Sequence, residues 1–89
     1  MVTVEFASSL RRHVACDPQA VAPGSLREVL CRALEAAPAL SHYVFDDQAC
    51  VRKHVAVFVN HRLVLDRQHL TQPVGDGDRV LVAQALSGG

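Results

Sequence analysis

The segment Ser25 to Pro38 constrains the fold most, because it is the one stretch of the sequence with a sustained helical period. Leu26, Val29, Leu30, Ala33, Leu34 and Ala37 recur at i, i+3, i+4, i+7, i+8 and i+11, a single apolar stripe. Ser25-Leu26-Arg27-Glu28 has the form of a capping box, in which the Ser25 hydroxyl accepts from the Glu28 amide and the Glu28 carboxylate accepts from the Ser25 amide. Arg27, Glu28, Arg32 and Glu35 fall on the flanks and back, with Glu28 four residues before Arg32 in the favourable order. Pro38 is expected to end the helix. One helix with one apolar stripe needs a sheet to cover, so the rest of the chain must supply strands.

The strands follow from alternation and turn residues. Val2, Val4 and Phe6 alternate with Thr3, Glu5 and Ala7, a first strand with one core face. Ser8 to Asp17 reads as a turn with Arg11 and Arg12 exposed, and a weaker second strand runs around Gln19 to Ala22, ended by Pro23-Gly24. After the helix, Leu40, Tyr43, Val44 and Phe45 suit a short helical turn at the core edge, and Asp46-Asp47 a turn. Val55 to Val59 and Arg62 to Leu65, joined by Asn60-His61, read as a β-hairpin, although His is a poorer left-handed residue than Gly. Val55, Val57 and Val59 should face the helix, with Ala56 and Phe58 on the other face. Gln68 to Val74 is expected to be an irregular crossover containing Pro73. Gly75-Asp76-Gly77-Asp78 is a tight turn into a last strand, Val80 to Ala83, apolar on both faces as suits a central strand covered on both sides.

The expected class is therefore α+β: a mixed sheet of four to five strands with one main helix, the first and last strands pairing in parallel at the centre. The expected core is Val4, Phe6, Leu26, Val29, Leu30, Ala33, Leu34, Val57, Val59, Val80 and Val82. Residues 1–84 form one domain, and residues 85–89 a flexible tail ending in Gly88-Gly89. Two random final residues would both be Gly in about 0.5% of chains at a usage of about 7%, so the tail reads as functional rather than frayed. Glycine has no Cβ, and such a tail can thread a narrow channel; Ala85 to Gly89, fully extended, reaches about 17 Å.

Composition excludes several classes. Nine basic and nine acidic residues cancel, so no global field steers the chain to nucleic acid or anionic lipid. No apolar run approaches a membrane span, and Met1 to Glu5 reads as a strand rather than a leader, so a cytoplasmic protein is expected. Cys16, Cys31 and Cys50 are odd in number and widely spaced, with no C-x-x-C pair, and suit reduced, mostly buried thiols. The five histidines, at 13, 42, 54, 61 and 69, are not paired at i, i+4, so no metal site and no cofactor are expected. Eight of the nine basic residues are Arg, and Lys53 is the only lysine. The basic stretch around Arg52, Lys53, His54, His61, Arg62 and Arg67 is a solvated face or a dock for an acidic partner. No G-x-x-x-x-G-K-[ST] loop is present to cradle a phosphate.

The order of elements, Val57-Phe58-Val59-Asn60 in the third strand, the Asp76-Gly77-Asp78 turn and the terminal Gly88-Gly89 together resemble the MoaD/ThiS family of ubiquitin-like sulfur carriers. The resemblance implies a β-grasp fold, and a Gly89 carboxylate that an E1-like adenylyltransferase/sulfurtransferase adenylates and converts to a thiocarboxylate. It implies that ATP is bound by that partner and that a second partner, a biosynthetic enzyme, accepts the sulfur. The chain would then be a protein co-substrate rather than an enzyme. Its length, with the segment from Ala39 to Lys53, departs from typical thiamin-pathway members, and Ala83, Gln84 and Ala85 stand where relatives often carry Pro or an aromatic. Phe58, Leu63, Leu81 and Ala83 are expected to form an exposed apolar patch opposite the helix for partner docking, with Leu86, Ser87, Gly88 and Gly89 entering the partner. Two other readings are a ubiquitin-like modifier joined to lysines through Gly89, and a β-grasp interaction module with an inert tail.

Overall fold

The structure is a computed structural model in which residues 1–7 and 17–85 are described. The turn expected from Ser8, together with Cys16, His13 and the tail residues Leu86 to Gly89, lies outside the described residues.

The elements in chain order are β1 (Val2–Phe6), β2 (Gln19–Val21), β3 (Gly24–Ser25), α1 (Leu26–Leu34), α2 (Pro38–Val44), β4 (Val55–Val59), β5 (Arg62–Leu63), β6 (Pro73–Val74) and β7 (Arg79–Gln84). Five strands make one mixed sheet in the order β2-β1-β7-β4-β5. β1 and β7 pair in parallel, with Val4 opposite Val80 and Phe6 opposite Val82. The other neighbours are antiparallel. The last strand is thus the central one, as the pattern implied.

Helix α1 lies across one face because its stripe and the sheet's alternating residues are both apolar. Leu26, Val29, Leu30 and Ala33 are fully buried and meet Val2, Val4, Val57, Val80 and Val82 in one continuous core. Every residue expected in the core is there. The capping box forms: Glu28 N–H donates to Ser25 Oγ at 3.1 Å, and Ser25 N–H donates to Glu28 Oε1 at 3.0 Å.

Four expectations are corrected. Helix α1 stops at Leu34, four residues before Pro38, closed by an Ala37 N–H bond to the Leu34 carbonyl at 3.0 Å. Pro38 instead opens α2, where its missing N–H would have been unpaired in any case. The crossover is not wholly irregular, since Pro73–Val74 pairs with Gly24–Ser25 as a second, two-stranded sheet. Strands of two residues carry no readable alternation. The central strand is covered on one side only: Val80 and Val82 are buried, whereas Leu81 is 38% exposed. Finally, Cys31 is exposed on the back of α1 and Cys50 is half-buried, so thiol burial fails where it can be seen.

The loop from Asp66 to Gln72 is fastened to the start of α1. The Leu70 and Gln72 carbonyls accept from the Arg27 and Leu26 amides at 3.0 and 2.9 Å, satisfying two donors that a helix start leaves open. Leu70 adopts φ 54° and is 1% exposed, so a bulky side chain in a left-handed backbone plugs the core. The Asp66 carboxylate supports it by accepting from the amides of Gln68, His69 and Leu70.

Arginines clamp the remaining loops. Arg27 donates to the carbonyls of Ala49 at 2.9 Å, His69 at 3.4 Å and Gln68. Arg32 takes Ala22 and Pro23 at 3.0 and 2.9 Å, Arg52 takes His42 at 3.0 Å, and Arg67 takes Val55 at 2.6 Å. A forked guanidinium with five donors suits this task in a way an ammonium does not. Arg52 and Arg67 therefore hold loops together, and the basic face is reduced to Lys53, His54, His61 and Arg62, all exposed.

Candidate functional site

Alternation along the central strands builds a second face. With Val55, Val57 and Val59 buried under the helix, Phe58 must point the other way, and the register sets its neighbours. Glu5 lies opposite Leu81, Leu81 opposite Phe58, and Phe58 opposite Leu63. One row thus crosses four strands: Glu5 on β1, Leu81 on β7, Phe58 on β4 and Leu63 on β5. The next row toward the tail pairs Ala56 with Ala83, both small.

Phe58 is half-buried, Leu81 is 38% exposed and Leu63 is 52% exposed, so the row is an open apolar band. A groove of about 410 Å³ runs beside it, lined by Glu5, Phe58, Asn60, His61, Arg79 and Leu81. Arg79 Nη2 and Glu5 Oε1 form an ion pair of 2.6 Å across the β1–β7 ladder, giving the groove a charged rim. Phe58 and Leu81 share this groove. Leu63 belongs to the same row but borders a different hollow, with Asn60, Arg62, Val64, Gln72, Pro73 and Asp78. Glu5 and Arg79 were not anticipated, and His61 was expected only in the basic stretch, since strand register is what brings them to Phe58.

The groove ends at a pair of locked turns. Asn60 and His61 have φ of 49° and 71°, the left-handed pair that a two-residue hairpin needs. The Asn60 side chain spans to the other turn: its Nδ2 donates to Asp78 Oδ1 at 3.0 Å, and its Oδ1 accepts from Arg79 N–H at 3.0 Å. The Asn60 amide and then the Gly75 N–H hold the Asp78 carboxyl below its ordinary value. Asp76 pairs with the Met1 ammonium, and Gly77 N–H donates to the Met1 carbonyl at 3.1 Å. Gly77, at φ 87°, takes a backbone that disfavours any side chain. The Asn60 and Asp76-Gly77-Asp78 signature is therefore a structural lock.

That lock lies at the end of the sheet remote from the tail. β7 runs from Arg79 beside the turns to Gln84, and its ladder extends to Ala85, whose N–H donates to the His54 carbonyl at 2.8 Å. His54 packs edge-on to Tyr43, with ring centroids 4.6 Å apart. Beside β7, Ala7 N–H donates to the Val82 carbonyl at 2.8 Å, so the tail departs between two paired neighbours. Leu86, Ser87, Gly88 and Gly89 follow outside the described residues. Among the described residues, no group of three or more His, Cys, Asp or Glu side chains converges, and no helix is long and apolar enough to cross a membrane.

The model of the ThiS family matches residues 17–89. A chain of the Amycolatopsis orientalis BexX/CysO complex is 20% identical, with TM-score 0.79 and all of both chains covered. The Methanosarcina acetivorans small archaeal modifier protein 1 is 19% identical, with TM-score 0.77, covering 99% of this chain and 95% of that one. The Haloferax volcanii HVO 2177 protein is 29% identical, with TM-score 0.70, covering 99% of this chain and 85% of that one. No curated protein sequence matches. The fold shared with these structures is the ubiquitin-like β-grasp.

Proposed function

Because the chain belongs to the ThiS family, and so is a ubiquitin-like carrier or modifier, we propose that it carries sulfur as a thiocarboxylate on Gly89. In this reading an E1-like partner binds ATP and adenylates the Gly89 carboxylate, releasing pyrophosphate. A sulfur nucleophile then displaces AMP, and a biosynthetic enzyme takes the sulfur from the thiocarboxylate. External activation is required because a carboxylate with an ordinary pKa of about 3.5 is ionised at neutral pH and a poor acyl electrophile. The single observation that carries the reading is that the family match runs through Gly88-Gly89, beyond the point where the central strand releases the chain at Ala85.

The apolar band of Phe58, Leu81 and Leu63, with Ala83 toward the tail, is the proposed docking face. An open apolar face on a small protein marks a partner site, and this one is continuous with the strand that delivers the tail. The Amycolatopsis orientalis match comes from a two-protein complex, which supports a carrier working against a partner surface. Leu86, Ser87 and Gly88 would then lie in the partner's channel, where a Cβ at position 88 meets walls shaped for bare backbone.

The experiment is sulfur loading with a purified E1-like adenylyltransferase of the kind that serves ThiS-family carriers, read by intact mass after thiol-selective alkylation. Wild type gains one sulfur; deleting Gly89, or appending one Ala, abolishes loading with the thermal midpoint unchanged. A misplacement of even about 1 Å can cost on the order of a hundredfold in rate. A Gly89 deletion that still loads would show that the Gly89 carboxylate is not the required reactive group.

A further inference from the structure

The two outer edges of the sheet are protected unequally. β2 is short and stands between Pro18 and Pro23, which cannot extend a ladder. β5 has no such guard, since no proline occurs from Arg62 to Gln72. The large apolar side chains left exposed among the described residues are Met1, Leu63, Leu65 and Leu81. Leu63 and Leu65 stand on this one edge, and Leu65 is 84% exposed. An uncovered apolar edge is a template for another strand.

The backbone of that edge is open as well. Val64 N–H donates to the Val57 carbonyl at 2.8 Å, which makes Val57 and Val64 a hydrogen-bonded pair of the β4–β5 ladder. Bonding alternates along an antiparallel strand, so the N–H and C=O of Leu63 point away from β4. No turn or bend interrupts the chain from Val64 to Arg67, and the N–H and C=O of Leu65 point the same way. Among the described residues nothing bonds to either backbone from the outer side. The same alternation puts the Leu63 and Leu65 side chains on the Phe58 face and Val64 on the helix side, packed against the core.

We infer that this edge pairs with the β5 edge of a second copy of the chain, antiparallel about a two-fold axis through Val64. In that register Leu63 lies opposite Leu65 of the second copy and Leu65 opposite its Leu63, so every outward N–H and C=O of both residues is bonded. Other registers do less. An axis through Leu63 sets Leu65 against His61, which is in the left-handed turn and cannot continue a ladder. An axis through Leu65 sets Leu63 against Arg67, whose carbonyl already accepts from Val51 N–H at 2.9 Å. With the axis at Val64, the next pair out sets Arg62 against Asp66 of the second copy, both exposed and opposite in charge. Asp66 Oδ2 accepts from the Leu70 amide at 2.9 Å and has a second lone pair for that guanidinium. The axis is normal to the sheet, so both Phe58–Leu81 bands fall on one face and the two β7 strands run in opposite directions. The pairing is independent of any chemistry at Gly89.

The test uses the full chain alone. So small an interface belongs to the weak, transient class, and association is expected between about 10 µM and about 1 mM. Sedimentation equilibrium over that range should show a reversible monomer–dimer equilibrium. Amide chemical shifts should move with concentration at residues 62–66, and a sample mixed from labelled and unlabelled chains should show contacts between Leu63 of one copy and Leu65 of the other. Leu65→Lys should weaken association at least about tenfold, because a charged side chain on an edge opposes pairing. Arg62→Glu, which sets like charges against each other, should act in the same direction. Both side chains are exposed, so the thermal midpoint should move by only a few degrees. A monomer at about 1 mM, shifts centred on β2 or on Phe58 and Leu81, or association unmoved by Leu65→Lys would each overturn the inference. Protection of Leu63 and Leu65 only when a different protein is added would overturn it in favour of a partner's strand.

Discussion

Leu30→Ala tests the core face of the sheet. Leu30 is fully buried in the middle of α1, on the stripe that meets Val4, Val57 and Val80. The substitution removes three carbons, about 2.4 kcal/mol at about 0.8 kcal/mol per buried methylene. A cavity term adds to this, since α1 is tied at its start to the Leu70 and Gln72 carbonyls and cannot settle freely onto the sheet. The expected loss is about 3–4 kcal/mol, within the measured range for buried Leu truncations. For a domain of this size each kcal/mol moves the thermal midpoint by about 4–8 °C, so a fall of at least about 12 °C is expected. Urea unfolding followed by circular dichroism, with wild type and variant sharing one slope, provides the free energy. A loss under about 1 kcal/mol would mean that the helix does not bury this residue against the sheet, and the two-faced reading of β4 and β7 would fall with it.

Phe58→Asp addresses the opposite face: the thermal midpoint should move by only a few degrees, while affinity for the E1-like partner drops at least tenfold by calorimetry. Unchanged affinity would remove the Phe58–Leu81–Leu63 band as the docking face. Acid should weaken the fold through four carboxylates held below their ordinary values: Glu28 by the Ser25 amide, Asp46 by the Cys50 amide, Asp66 by the His69 amide and Asp78 by the Asn60 side chain. Folded values below the unfolded ones mean that this stability is fully present above the ordinary pKa of 4.5 for Glu28 and 3.8 for the aspartates. It is lost as pH falls through the lowered folded values. The urea midpoint should hold from pH 7 to about 5 and fall below about 4; a flat profile down to pH 3 would contradict the assignment, and Asp66→Asn should make the profile shallower.

What the sequence determined by itself is what near neighbours decide. The Ser25–Glu28 box and the Leu26-to-Leu34 stripe specify α1 through contacts three and four residues apart, and Asn60-His61 specifies a hairpin within two. Alternation assigned each residue of β1, β4 and β7 to a face, hence the core and the apolar band of Phe58 and Leu81. Tertiary structure decided whatever depends on partners far along the chain. Pro73–Val74 becomes a strand only because Gly24–Ser25 lies beside it, and two residues have no period to read. Leu70 takes a left-handed backbone because Asp66 and the open end of α1 hold it there. Arg27, Arg32, Arg52 and Arg67 look like surface charge until the fold brings loop carbonyls to their guanidiniums. The same distance hides the Glu5–Arg79 rim of the groove. Strand register, which no local pattern encodes, is what puts those residues together.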